Sequence, residues 1–379
     1  MNPLRSILIT ALTAAVAGPL FVSAAPAASA DGHATSNSAR HRPADPIVIA
    51  HRGASGYRPE HTLAAYALAI RQGADVIEPD LVITQDKVLV ARHENEIGGT
   101  TDVAQHPEFA DRRTTKTIDG RAVTGWFTED LTLAELKTLR AKERLPLVRP
   151  GNTAYDGRFE VPTFEEVLDL AKRESIRRGR VIGVAPETKH PTYFQSIGKN
   201  LEDPLVRTLK RRGLDHRWSP VTVQSFETAN LMTLAKRVRV PLAQNVNPSG
   251  RPYDHVVSGD PTTYVDMVTP AGLKAMAGYA DVLSAEKTVL IPRDATGALT
   301  TPTTVVRDAH RAGLDVYAWT FRAENQFLPA DHRDGTDPNA HGDLDAELRT
   351  FYRLGLDGVF SDFPDLAVAA RRPASVKAG

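Results

Sequence analysis

Residues 47–73 read IVIAHRGASGYRPEHTLAAYALAIRQG. An apolar run, Ile47 to Ala50, passes directly into His51, Arg52 and Gly53. From Thr62 onward apolar residues recur at helical spacing, and Gly73 stops the pattern. A strand, a polar turn and a helix in this order form the repeat unit of a parallel α/β fold.

The unit recurs along the chain. Strand-like runs follow at DVIEPDLVIT (75–84), KVLVARHE (87–94), RVIGVAPETK (180–189), PVTVQSF (220–226), VPLAQNV (240–246), YADVLSAEK (279–287), LDVYAWTF (314–321) and LDGVFSDFPD (356–365). Amphipathic segments such as PTFEEVLDLAKRE, DPLVRTLKRRG and LDAELRTFYRLG separate them. The nine runs are counted as about eight strands, with the 87–94 run read as a parallel neighbour of the one before it. Eight strand–helix units predict an α/β fold, a closed (β/α)8 TIM barrel over residues 46–370. Residues 95 to about 160 break the rhythm with GG, DRRTTKTIDGRAVTGW and RPGNTAYDGR, and carry one predicted helix at 132–140. They read as an insertion after the third strand. A doubly wound open sheet is the competing architecture, but no GxGxxG follows the first strand.

The ends are of different material. Arg5 and the apolar run SILITALTAAVAGPLFVSA, followed by AAPAASA, predict a signal peptide over residues 1–30 cleaved after Ala30, and hence a secreted protein. Pro19 interrupts the run and argues against a retained anchor, so no stable membrane insertion is expected. Residues 31–45 are polar and aperiodic, a flexible leader, and 371–379 form a short tail. The 46 basic and 46 acidic residues balance, which argues against a nucleic-acid partner or a polybasic membrane patch. With no cysteine, thiolate catalysis and thiolate zinc sites are excluded.

In a barrel, chemistry gathers at the carboxyl ends of the strands. His51 and Arg52 follow the first strand, and His93 ends the third. Glu78 and Asp80 lie two apart, as do Glu187 and Lys189, so each pair shares one face of a strand. Gln224, Trp319 and Asp362 close three further strands. Any one of these residues alone would be read as solvated or ion-paired. Together, Glu78, Asp80 and Glu187 form a carboxylate cluster that needs protons or a cation, and hard oxygen ligands select Ca²⁺ or Mg²⁺. Arg52 and Lys189 beside such a cation make a phosphate clamp, and His51 and His93 suit general acid–base work. The combination describes phosphodiester cleavage.

The motifs HRGASGYRPEHT, EPDLVITQDKVLVARHE, PETKHP, VQSF and GVFSDFPD resemble the glycerophosphodiester phosphodiesterase family, its secreted bacterial members above all. The resemblance implies a (β/α)8 barrel and a metal-dependent hydrolase that releases sn-glycerol 3-phosphate and an alcohol from a small glycerophosphodiester. It implies His51 and His93 as the acid–base pair, and Glu78, Asp80 and Glu187 as ligands of a divalent cation, calcium ahead of magnesium. Arg52 and Lys189 become phosphate contacts, and Phe226 and Trp319 shape the glycerol pocket. The chain departs from the family at His61, where Asn is usual, which places the hydrogen bonding behind His51 in question. It departs again at Glu94, where Asp is common. At a predicted helix start, His61 is expected to replace the amide in hydrogen bonding to nearby backbone rather than to act as a third catalyst. His190 is a candidate for the surroundings of the site. The same chemistry on glycerol-phosphate wall polymers such as teichoic acid, or on phospholipid head groups, is the alternative. A non-catalytic surface-binding barrel is disfavoured because the metal and histidine set is intact.

Overall fold

The structure is a computed structural model and describes residues 45–371. The expected signal peptide, all but the last residue of the leader and all but the first residue of the tail lie outside the described residues.

Eight parallel staves close into a ring. In order they are Ile47–His51, the pair Val76–Glu78 and Asp80–Ile83, the pair Gly183–Val184 and Glu187–Thr188, then Val223–Ser225, Leu242–Val246, Val282–Glu286, Asp315–Phe321 and Gly358–Ser361. The last stave pairs with the first from Ile47↔Gly358 to Ala50↔Ser361, which closes the barrel. Staves two and three are each split at a proline, Pro79 and Pro186, because proline has no N–H to give to the ladder. The prolines still accept: Glu187 donates its backbone N–H to the carbonyl of Pro79, and Gln224 donates to that of Pro186.

The 87–94 run is not a stave. Leu89–Ala91 pairs antiparallel with Leu81–Ile83. Gln85–Lys87 is a tight turn, whereas a parallel return requires a crossover of about a dozen residues or more. The ring is complete without it. The hairpin instead folds the chain back, so that Arg92 N–H donates to the Asp80 carbonyl at 3.0 Å and His93 arrives at the rim.

Helices cover the outside. Leu63–Arg71 is capped by the Thr62 hydroxyl, and Phe164–Arg178 by a reciprocal Thr163/Glu166 box ending on left-handed Gly179. Their apolar faces and the outward residues of the staves make two large buried clusters. Inside the barrel, Ile49, Ala185 and Phe360 pack with Ile47, Val76, Tyr317 and Trp319. The segment between the second and third staves contains a two-stranded hairpin, Thr114–Ile118 with Arg121–Gly125, turned by Asp119 and Gly120, both at positive φ. Its helix is one turn long, Leu133–Leu136, shorter than the sequence pattern suggests.

Candidate active site

The inner plug and the site are one pattern. Side chains alternate along a strand, so residues two apart point the same way. Ile49 faces the lumen, and so does His51; Val76 is followed by Glu78 and Asp80; Ala185 by Glu187 and Lys189; Phe360 by Asp362. Register then sets neighbours across staves: His51 stands beside Glu78, Asp80 beside Glu187, and Glu187 beside Gln224. The result is a cavity of about 380 Å³ whose floor carries His51, Arg52, Glu78, Asp80, His93, Glu187 and Lys189. Phe226 and Trp319 stand on its wall with ring centroids 5.6 Å apart.

One carboxylate oxygen from each of Glu78, Asp80 and Glu187 lies within 4.8 Å of the others, and all three residues are buried. Burial and the repulsion of Asp80 and Glu187 push the Glu78 carboxyl well above the usual carboxylate range. Burial also pushes Glu187 up, to about 7, against the pull of Lys189. Burial works against the Asp80 charge as well, but Lys189, His93 and His61 hold it low. Three crowded, desolvated oxygens of this type fit a hard divalent cation and leave a proton in its place otherwise.

Two fixed cations border the triad. The Arg52 backbone N–H donates to Glu78 Oε2 at 2.7 Å, and its guanidinium donates to Glu60 Oε2 at 3.0 Å and to His51 Nε2 at 3.2 Å. Lys189 Nζ donates to Glu187 Oε1 at 2.8 Å and stands 5.7 Å from the Phe226 ring centroid.

His51 Nδ1 donates to Asp362 Oδ1 at 2.5 Å. With Arg52 donating to Nε2, the ring is the neutral Nδ1–H tautomer. Burial and Arg52 lower its pKa to about 4 although Asp362 opposes them. His93 is likewise lowered, by burial and by Arg52 and Lys189. Its Nε2 lies 3.4 Å from Lys189 Nζ. Its Nδ1 is 2.6 Å from Glu94 Oε1, a close contact out of line for a full hydrogen bond. Both imidazoles therefore favour the neutral form, Nδ1 against a carboxylate and Nε2 beside a fixed cation.

His61 differs from the expectation. It lies at φ 54 with its ring fully buried, and it neither caps the helix, which Thr62 does, nor stands behind His51. Nε2 contacts Asp80 Oδ2 at 2.9 Å and Nδ1 contacts the Tyr66 hydroxyl at 2.8 Å. It orients a triad carboxylate, the role a ring with two polar atoms can fill from this distance and backbone contacts cannot. The support behind His51 comes from Asp362, whose strand-end position is visible in the sequence but whose partner is not. Glu60, Arg149, Arg322 and Asn245 also touch the site residues and carry no sequence signal of their own.

Comparison with known proteins identifies the family. Residues 51–366 match a model of the glycerophosphoryl diester phosphodiesterase family. The chain is 35% identical over 332 residues to a glycerophosphodiester phosphodiesterase of Arabidopsis thaliana, with 84% of each chain covered. A glycerophosphodiester phosphodiesterase of Haemophilus influenzae is 28% identical over 367 residues, covering 90% of this chain and 94% of the relative. Two solved structures share the fold. An Oleispira antarctica phosphodiesterase in complex with the product sn-glycerol-3-phosphate has TM-score 0.56 and 22% identity, covering 86% of this chain and 96% of that one. A glycerophosphodiester phosphodiesterase of Agrobacterium tumefaciens has TM-score 0.51 and 19% identity, covering 86% and 99%. A barrel with this rim, matched along most of its length, belongs to the glycerophosphoryl diester phosphodiesterase family.

Proposed function

We propose that the protein is a secreted, metal-dependent glycerophosphodiester phosphodiesterase that hydrolyses small glycerophosphodiesters to sn-glycerol 3-phosphate and an alcohol. The observation that carries the reading is one floor holding a carboxylate triad, two cations and two neutral imidazoles. With all five charged groups ionised, the triad against Arg52 and Lys189 leaves one negative charge. A divalent cation reverses that to one positive, which a phosphodiester monoanion neutralises. The Oleispira phosphodiesterase, solved in complex with the product sn-glycerol-3-phosphate, supports that compound as the product. The signal-peptide pattern at the start of the sequence supports secretion.

Glu78, Asp80 and Glu187 would hold the cation, with calcium preferred because it accepts irregular oxygen sets more readily than magnesium does. When bound, the cation supplies Lewis-acid polarisation of the phosphoryl group. Arg52 and Lys189 orient the phosphate oxygens and stabilise the charge gathering on them. One imidazole removes the proton from the attacking oxygen as the new O–P bond forms; that oxygen is water's, or the glycerol hydroxyl's with water then opening the cyclic phosphate to sn-glycerol 3-phosphate. The other, protonated as the anionic substrate offsets the neighbouring cations, gives its proton to the departing alcohol oxygen as the old P–O bond breaks. Phe226 and Trp319 offer apolar faces to the glycerol carbons.

The test is turnover of glycerophosphocholine by the mature chain with chelator and after separate return of Ca²⁺ and Mg²⁺. Loss with chelator, recovery with Ca²⁺, and inactivity of His51→Ala and His93→Ala are expected. Full activity in both histidine variants, or in chelator, would sink the reading. Running a polyglycerolphosphate chain and a phospholipid in parallel separates the small-diester reading from its alternatives. No helix among the described residues is long and apolar enough to cross a membrane.

A further inference from the structure

Each imidazole has a carboxylate against its Nδ1, hydrogen-bonded at His51 and in close contact at His93. Asp362 divides its carboxylate, with Oδ1 on His51 and Oδ2 on Arg149 at 2.6 Å and Arg322 at 2.9 Å. Glu94 divides its carboxylate too, with Oε1 against His93 and Oε2 on His190 Nε2 at 3.1 Å. Followed one step further, both lines enter the same stretch of chain. Arg149 belongs to the 95–160 segment, and His190 Nδ1 is met at 2.6 Å by Asp119 Oδ2, at the tip of that segment's hairpin.

Neither contact is incidental. The Arg149 side chain is only 6% exposed, and its guanidinium also donates to Glu324 Oε1 at 2.6 Å and to the Ser55 carbonyl at 3.0 Å. A planar fork bound on three sides fixes the plane of the Asp362 carboxylate, and through it the tilt of the His51 ring. At the other end, Asp119 and Gly120 both take positive φ, the turn that lets a two-residue hairpin tip project without splaying its strands. His190 is itself held at φ 47, a conformation a non-glycine residue keeps only when its surroundings enforce it. Burial disfavours charge on the His190 ring, but the Asp119 and Glu94 carboxylates on either side push its pKa up to about 9. A third link runs from Arg144 Nη1 to Glu60 Oε1 at 3.4 Å, and Glu60 in turn holds Arg52.

We propose that the 95–160 segment positions both catalytic imidazoles: Arg149 acts through Asp362 on His51, and Asp119 acts through His190 and Glu94 on His93. The inference rests on the acid–base reading of the two histidines given above. It makes Arg149, Asp119 and His190 positioning residues, and makes the insertion a part of the catalytic apparatus instead of a cover over it.

The test uses the whole mature chain with Arg149→Met, Arg149→Lys, Asp119→Asn and His190→Gln. Lys116→Met serves as a control on the same hairpin, since Lys116 pairs with Glu129 and Asp130 and touches neither line. Removing the partner of an orienting carboxylate is expected to lower kcat about 10- to 100-fold in Arg149→Met, and about tenfold in Asp119→Asn and His190→Gln, with KM within about threefold. Lys at 149 keeps the charge but not the fork, so it recovers part of the loss. A structural role alone would not produce the second readout, the imidazole N–H proton resonances. The His51 Nδ1–H signal should move in Arg149→Met and stay in Asp119→Asn, and the His93 ring signals should do the reverse. If Arg149→Met does not fold, Arg149→Lys decides the His51 line, and the two hairpin-side variants decide the other. Wild-type kcat in the folded variants, or resonances that do not follow this crossed pattern, overturns the inference. If His51→Ala and His93→Ala remain active, the acid–base reading itself fails; if they are dead while the positioning variants are normal, only this inference does.

Discussion

Cation binding should release protons, and its affinity should fall as the solution becomes more acidic. The cause is the crowding of Glu78, Asp80 and Glu187, whose nearest oxygens fit inside 4.8 Å in a buried floor. Burial holds Glu187 at about 7 and, with the repulsion of its neighbours, raises Glu78 well above the usual carboxylate range, while Lys189, His93 and His61 hold Asp80 low. A cation needs the ionised carboxylates, so the protons on Glu187 and Glu78 compete with it. For a group titrating near 7, moving from about pH 8 to about pH 6 converts a mostly ionised ligand into one about nine-tenths protonated. That change weakens apparent binding about tenfold, or about 1.4 kcal/mol, from Glu187 alone. Glu78, whose carboxyl is also raised, adds to the slope, so proton release on cation binding should be measurable near pH 6 to 7.

Calorimetric titration of Ca²⁺ in two buffers of different ionisation enthalpy counts those protons directly, and repeating it across the pH range gives the slope. Glu187→Gln should bind more weakly and with a flatter pH profile, because one titrating ligand is gone. Affinity that stays level between about pH 6 and 8, or a proton count near zero, would show that the triad is already ionised without a cation. The electrostatic account of the site would then be wrong.

Two further substitutions separate support from contact. His61→Ala removes the ring that seats Asp80. It should weaken Ca²⁺ binding about tenfold while kcat at saturating cation stays near wild type, as expected for a residue behind a ligand; unchanged affinity by titration would contradict the assignment. Phe226→Ala opens the wall opposite Lys189 and leaves Trp319 without its edge partner. Steady-state kinetics on glycerophosphocholine should show KM up about three- to tenfold, the cost of about 1 kcal/mol of lost apolar contact, with a smaller change in kcat.

The parts of this molecule that were legible in its sequence are those governed by a short period. Glu78 and Asp80, or Glu187 and Lys189, can be placed on one face because the alternation of a strand is local. The staves they ride on are marked by apolar runs such as IVIA and GVF. The one misplaced strand, 87–94, has the right composition; its pairing direction is decided by the length of the turn before it, and a hairpin and a crossover share the same residues up to that point. His61 is expected from the sequence to bond nearby backbone, but its partner Asp80 lies 19 residues away and is chosen by how the first loop lies over the second stave. Asp362 shows the same limit: its position at a strand end is visible, while its pairing with His51 spans 311 residues and depends on barrel closure.

Residues in the 95–160 segment were the least legible, and for a reason that bears on how such a site is built. Arg149 lies in an irregular stretch with no period, and Asp119 in a turn whose composition announces only a turn. Nothing local distinguishes them from solvated charges. Their importance arises because a carboxylate that orients an imidazole has two oxygens and can leave only one on the ring. At Asp362, whose side chain is 3% exposed, the second oxygen must find a donor or leave its desolvation cost uncompensated. The staves are committed to the floor and the plug, so among the described residues much of that donor supply comes from outside them. Arg149 and Arg322 reach Asp362, and Asp119 reaches Glu94 through His190. A barrel rim with two backed histidines thus has two carboxylates to satisfy, Asp362 buried and Glu94 partly exposed. An insertion long enough to reach both sides is a physical answer to that requirement.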